Sequence, residues 1–187
     1  MKYRTIVADP PWAMPDSGPW TGVSGNWGPH RGATSDIPYQ TMALDDIKTL
    51  PVRELAYIDA HLYLWTTNRF LENAYGVVRA WGFRPAQLLT WCKAPMGIGM
   101  GGTFTSTTEF VLFCRRGSLK ASTRVDSSWW QWKRGPHSAK PEAFLDLVEQ
   151  VSPGPYLEMF ARRNRLGWDT WGNECLEHVE VQGGQGC

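Results

Sequence analysis

Cysteine pairs, long apolar runs and an excess of charge of one sign are all missing from this 187-residue sequence. Cys92, Cys114, Cys175 and Cys187 form no C-x-x-C pair, and His30, His61, His137 and His178 show no ligand-like spacing. A structural zinc site and a disulfide framework are therefore not expected, and the thiols read as incidental residues of a reducing compartment. No apolar segment approaches the roughly 20 residues that cross a bilayer, and Met1 to Thr5 lead into a strand pattern instead of a secretory leader. The expectation is a soluble, cytoplasmic protein with neither membrane partner nor metal. A formal net charge of +1 excludes binding to a polyanion through overall charge, so such a partner would have to be met by a local patch.

Tryptophan, by contrast, is abundant, with eleven copies. A flat amphipathic ring suits both a packed core and stacking on an aromatic ligand. The length fits one domain, expected over residues 1–176, with 177–187 as a tail because Gln182 to Gly186 carry no apolar pattern.

Thr5-Ile6-Val7-Ala8 is a short apolar run stopped by Asp9-Pro10-Pro11, which predicts a buried strand ending where proline can no longer donate to a ladder. Asp9 thus falls at a strand's carboxyl end, the edge where open α/β sheets bind ligands. Further strands are expected over 61–66, 87–92, 109–114 and 156–160, with a short one over 168–171. Helices are expected over 45–50, over the periodic run Phe70 to Trp81 capped by Asn68 and stopped by Gly82, and from Pro141 to Val151. This alternation predicts an α/β sheet with helices on both faces. The irregular segments 13–38 and 94–108 are long for loops without a role, and the first reads as a substrate cover. Residues 115–137 form a third irregular stretch. The glycines at 97, 99, 101 and 102 imitate a phosphate loop but lack its lysine and its strand-to-helix context.

The chemistry sits in Asp9-Pro10-Pro11-Trp12. An exocyclic amine on an aromatic base is a poor nucleophile until its lone pair is turned out of conjugation, which requires acceptors for its two N–H groups. The Asp9 carboxylate can take one and the Pro10 carbonyl, held stiffly by Pro10 and Pro11, the other. Trp12 offers a flat face for the base, worth roughly 1–3 kcal/mol where an unstacked base must be retained.

Asp-Pro-Pro-Trp after an apolar strand resembles the adenine-N6 methyltransferase family that includes the catalytic subunit of the eukaryotic messenger-RNA enzyme and small bacterial and phage enzymes. Further blocks agree in order: Pro38 to Met42, Leu64 to Arg69, Trp91-Cys92-Lys93, Ser138 to Glu142, Ser152-Pro153-Gly154, Glu158 to Arg162 and Trp171 to Glu174. The resemblance implies a single Rossmann-like methyltransferase domain in permuted order, with the catalytic loop first and the cofactor-binding strand last. It implies S-adenosyl-L-methionine as cofactor, S-adenosyl-L-homocysteine as product, and nucleic acid as partner. By the same likeness, Lys140 would meet the cofactor's methionine carboxylate, with Glu158 and Phe160 beside it. Arg162 and Asn164 would hold the ribose, and Asn173 with Glu174 would lie near the ribose or adenine. Tyr39 and Trp65 would lie near the target base. The sequence departs from the family at Ala161 and Arg163 and by Glu174 where glutamine is common, which bears on cofactor contacts.

DNA is the favoured substrate, because a short core resembles the bacterial and phage members, with RNA as the alternative. Arg115-Arg116, Lys133-Arg134 and Arg162, Arg163, Arg165 are candidate phosphate contacts, and Trp129, Trp130 and Trp132 candidate stacking surfaces. Two other readings compete. Methylation of the cytosine amine would favour serine in place of Asp9, and an inactive scaffold subunit would have no reason to keep Asp9 to Trp12. A homodimer is compatible with so small a core.

Overall fold

The computed structural model describes residues 1–13, 41–94, 104–133, 135 and 139–171. The expected cover loop from 14 onward, Tyr39, the glycines at 97–102, Arg134, Asn173, Glu174 and the tail lie outside the described residues.

Seven strands form one sheet in the order β5-β3-β4-β2-β1-β6-β7. They are β1 (Tyr3–Ala8), β2 (Ala56–Thr66), β3 (Arg84–Ala94), β4 (Thr108–Arg116), β5 (Trp129–Lys133), β6 (Tyr156–Met159) and β7 (Trp168–Trp171). β1 lies between β2 and β6, parallel to both, and β6 is parallel to β7 and β3 to β5. β4 alone is antiparallel, to β2 and β3. Six strands therefore end at one edge of the sheet, and β4 begins there. The strand that precedes Asp9 comes first in the chain, and its neighbour β6 comes near the end, the permuted Rossmann-like order.

Two apolar layers flank the sheet because alternate side chains of each strand point to opposite faces. Ile6, Ala8, Leu62 and Leu64 face α1 (Leu44–Thr49) and α3 (Leu71–Ala80), where they meet Ile47, Ala74, Val77, Val78 and Trp81. Val7, Tyr63, Trp65, Val111 and Phe113 face α4 (Glu142–Val151) and pack on Phe144, Leu145 and Val148. Helices thus cover both faces. Gly82, at φ +79°, ends α3 in the left-handed region that a side chain would resist.

The structure corrects the reading in three places. Asn68 does not cap α3: residues 68–70 form a 3-10 turn in which the Phe70 N–H donates to the Thr67 carbonyl at 3.1 Å, and no side chain caps the helix at Phe70. The tighter turn satisfies an end donor that a side chain would otherwise take. β2 begins five residues earlier than expected, after a one-turn helix α2 (Val52–Leu55). The irregular stretch 115–137 contains β5, whose five residues carry too short a pattern to be seen without β3 beside them.

On the α4 face a buried polar group is fully partnered. His61 Nδ1 meets Ser152 Oγ at 2.7 Å, His61 Nε2 meets the Leu119 carbonyl at 3.1 Å, and Tyr63 Oη meets the same Ser152 Oγ at 2.8 Å. A carbonyl can only accept, so Nε2 carries the proton, Ser152 donates to Nδ1 and Tyr63 donates to Ser152. Burial holds the imidazole below its usual range, consistent with one proton on the ring.

Candidate active site

The site is built along the edge where the parallel strands end. Asp9 follows β1, and its backbone N–H donates to the Met159 carbonyl of β6 at 3.4 Å. The next residues make a closed turn. The Trp12 N–H donates to the Pro10 carbonyl at 2.9 Å, and the Met42 N–H donates to the Pro11 carbonyl at 2.9 Å. The Pro10 oxygen retains its second lone pair for another donor. Trp12 is pinned on both sides: its indole N–H donates to the Trp65 carbonyl at 3.2 Å, and its ring stacks on Phe70 with centroids 5.7 Å apart.

Lys140, just before α4, reaches back to Asp9. Its Nζ lies 3.1 Å from Asp9 Oδ2 and 2.8 Å from Glu109 Oε2, and Glu109 Oε1 is 2.6 Å from Lys93 Nζ. The result is an alternating row, Lys93–Glu109–Lys140–Asp9, running across the sheet edge from β3 to β1. Burial alone would lower the Lys140 ammonium, but the Asp9 and Glu109 carboxylates outweigh it and hold the pKa above the ordinary lysine value. Burial would raise Glu109 likewise, yet Lys140 and Lys93 hold it below the usual carboxylate range. Lys140 and Glu109 thus hold one another in their charged forms.

Trp65, expected beside the target base, is only 1% exposed. Its ring is wedged edge-on between Trp91 and Phe144, because the β2 pleat turns it into the α4-side core, and the Lys140 ammonium sits 5.0 Å from its centroid. Trp65 is thus a floor beneath Lys140. The arginines 163 and 165 are likewise committed within the chain. Arg163 pairs with Glu142 at 2.6 Å, and Arg165 meets Glu149, Asp146 and Glu142 at 2.9, 2.6 and 3.5 Å. Arg115 and Arg116 lie at the far end of β4, opposite His61 and Ala60 and away from the Asp9 edge.

The β6 end brings together a second group of the side chains expected at the site. Glu158 stands opposite Val7 in the ladder, two residues before Asp9 along β1, and its Oε2 is buried with no hydrogen-bond partner among the described residues. Burial pushes its carboxyl up to about 7; Asp9 and Glu142 push the same way, while Arg163 and Arg165 oppose. Phe160 follows in the left-handed region at φ 63°, which costs a side chain about 1–2 kcal/mol, and its ring meets Trp171 edge-on at 5.0 Å. Arg162 is half-buried, and Asn164 Oδ1 accepts from Thr170 Oγ1 at 3.3 Å.

Glu109 and Lys93 were given no role by sequence reasoning. The one signal was a charged residue leading the apolar run Phe110 to Cys114; the structure adds that Trp91 faces Glu109 across the β3–β4 ladder.

A seven-stranded α/β sheet with a carboxylate, a proline-stiffened carbonyl and a lysine gathered at its carboxyl edge defines a Rossmann-like methyltransferase. The chain belongs to the MT-A70 family, which it matches over residues 3–174. It is 33% identical to the Type II methyltransferase M.MunI of Mycoplasma sp, over 96% of this chain and 81% of that protein. It is 27% identical to the N6-methyladenosine RNA methyltransferase MTA1 of Pyricularia oryzae, over 95% of this chain and 48% of that one. Identity to the human N(6)-adenosine-methyltransferase catalytic subunit METTL3 is 24%, over 92% of this chain and 28% of that protein. The chain therefore spans about four-fifths of the first of these relatives and half or less of the other two.

Membership implies S-adenosylmethionine as cofactor, and the residues present fit it. The cofactor carries hydroxyl and ammonium donors, and the unpartnered Glu158 Oε2 is a buried acceptor beside Asp9.

Proposed function

We propose that the protein methylates the exocyclic N6 amine of adenine in DNA. The observation that carries this reading is the fixed Asp9 turn: Lys140 holds Oδ2, Oδ1 has no partner among the described residues, and the Pro10 carbonyl keeps a lone pair close by. Two acceptors held in one place suit the two N–H groups of one amine, and a nitrogen so held presents its lone pair away from the ring plane. The cofactor, when bound, supplies an electrophilic methyl group on a positively charged sulfur.

The chain's own residues then divide the work. Asp9 and Pro10 orient the amine, and Trp12, with one face covered by Phe70, offers its other to the base. Glu158, Phe160, Arg162 and Asn164, with Asn173 and Glu174 further on, hold the cofactor. Lys140 has three N–H donors, of which Asp9 and Glu109 use two, so one remains for the cofactor's carboxylate. Tyr39 would approach the target base from the loop after Trp12.

DNA is preferred over RNA on coverage. The Type II relative is matched over 81% of its length, whereas the relatives named for adenosine or RNA are matched over 48% or less. RNA adenine is the second reading.

The test is transfer of labelled methyl from S-adenosylmethionine to single- and double-stranded DNA and RNA, followed by nucleoside analysis, with Asp9→Ala alongside. Label in N6-methyldeoxyadenosine is the expected outcome, and label in N6-methyladenosine alone would move the activity to RNA. Asp9→Ala should lower turnover roughly a hundredfold or more, the scale of a lost positioning group, while S-adenosylhomocysteine still binds. Equal turnover in the two proteins would end the assignment of Asp9.

A further inference from the structure

The edge strand β5 carries Trp129-Trp130-Gln131-Trp132-Lys133 beside β3, and the Asp9 turn makes no use of it. Trp130 and Trp132, two residues apart on one face, stack with ring centroids 5.4 Å apart and planes within 8°. This face is the α4 side, where Trp132 packs against the Tyr63–Trp65 core. The register places Trp132 opposite Lys93, the outer end of the Lys93–Glu109–Lys140–Asp9 row. The stack therefore runs along the strand toward the catalytic edge, with half-buried Trp132 at its upper end.

Two hollows continue the path. Lys133, Lys140, Glu142 and Arg163 line a cavity of about 430 Å³ at the upper end of β5, where Lys140 is paired with Asp9 and Glu109 and Arg163 with Glu142, and Lys133 has no ion-pair partner among the described residues. At the lower end Trp130 forms one wall of an open slot of about 530 Å³, with Phe113 and Leu89 in its lining and Arg115 and Arg124 among its polar groups.

We infer that the α4 face of β5 is a track for unpaired polynucleotide flanking the target adenine. The base next to the target extends the indole stack on Trp132, its phosphate is met by Lys133, and the strand continues toward the Trp130 slot. The occupant follows from charge and shape. Flat rings in line accept any base, Lys133 at the upper end can meet a phosphate, and the track is continuous with the row that ends at Asp9. This rests on the nucleic-acid reading above.

The experiment compares the parent with Trp132→Ala, Trp132→Phe and Lys133→Ala. It measures anisotropy of a labelled single-stranded oligonucleotide containing one adenine, KM and kcat for methyl transfer, and calorimetric affinity for S-adenosylhomocysteine. Trp132→Ala should weaken oligonucleotide binding and raise KM roughly tenfold while S-adenosylhomocysteine affinity is retained, and Trp132→Phe should recover most of the loss. Lys133→Ala should weaken binding less and flatten its dependence on salt. Equal oligonucleotide affinity in parent and Trp132→Ala overturns the track and leaves the methyltransferase reading standing. Light scattering that shows a parent dimer and a Trp132→Ala monomer also overturns it, because β5 would then be an interface between copies. A parent that binds S-adenosylhomocysteine but no polynucleotide overturns both readings together.

Discussion

Two ion-pair networks flank the two ends of the segment from Lys140 to Arg165, and they differ in kind. At Lys140 the cation is set between Asp9 and Glu109, whose side chains are 28% and 12% exposed. Arg165 makes more contacts, three, but its partners Glu142, Asp146 and Glu149 are 59%, 60% and 37% exposed. More bonds do not make the stronger network. Exposed acids lose little when their partner leaves, since water takes its place, whereas Glu109 has no such substitute. The surface network fastens the loop after β6 to α4, and the buried one holds the Asp9 carboxylate at the sheet edge.

The sharpest break of this contrast is Lys140→Met. It leaves the Asp9 and Glu109 carboxylates near one another with only Lys93 to neutralise Glu109, and it should cost about 3–5 kcal/mol of stability, the range for removing one partner of a buried pair. Denaturant unfolding measures this, and turnover should fall with it because Asp9 Oδ2 is no longer held. A variant as stable as the parent would mean that the row is relaxed in solution. The companion Glu109→Gln removes the opposite charge and should raise KM and lower kcat while retaining more stability.

The second prediction concerns Glu158, the group between the two networks, with its carboxyl pushed up to about 7 by burial. The folded state holds this proton to higher pH than the unfolded chain does. The ligand-free protein should therefore lose stability as pH rises from the ordinary glutamate value to about 7, and level off above it. Cofactor affinity has the opposite sign. If Glu158 accepts hydrogen bonds from the cofactor at both oxygens it must be ionised, so S-adenosylhomocysteine affinity should rise up to tenfold per pH unit below 7 and flatten above. Calorimetry between pH 5.5 and 8.5 checks this, and Glu158→Gln should abolish the slope. A slope that survives the substitution would place the titrating group elsewhere.

How much of this was open to a reader of the sequence follows from where each signal resides. Asp9 was legible because the end of an apolar run and two prolines mark a strand terminus locally. The two core faces were legible from the apolar run within 61–66, read as a buried strand, and from the helical period of 70–81. Glu109 was not, because its meaning comes from lying across a ladder from Trp91 and within reach of Lys93 and Lys140, a fact of pairing that no single segment carries. Trp65 misled for a related reason: its place beside the motif is real, but the pleat turns its ring into the core and only its carbonyl and its face toward Lys140 reach the site. The arginines after β6 read as phosphate contacts until their partners on α4, about twenty residues earlier in the chain, came into view.

The smallest effect is expected at Arg165, and it tests the comparison most directly through salt. Arg165→Ala removes three contacts and the support of Glu149, which also accepts from the Trp168 indole at 2.7 Å. Because its partners are largely solvated, the loss should be about 1 kcal/mol or less at low ionic strength. In 1 M salt the screening length falls to about 3 Å, so the difference from the parent should shrink toward zero. The deficit of Lys140→Met should persist under the same conditions, since the buried row is screened far less. Paired melting curves at low and high salt separate the two cases. An Arg165→Ala deficit insensitive to salt would mean that the guanidinium acts by packing the 160–168 loop, and that charge contributes little to holding it.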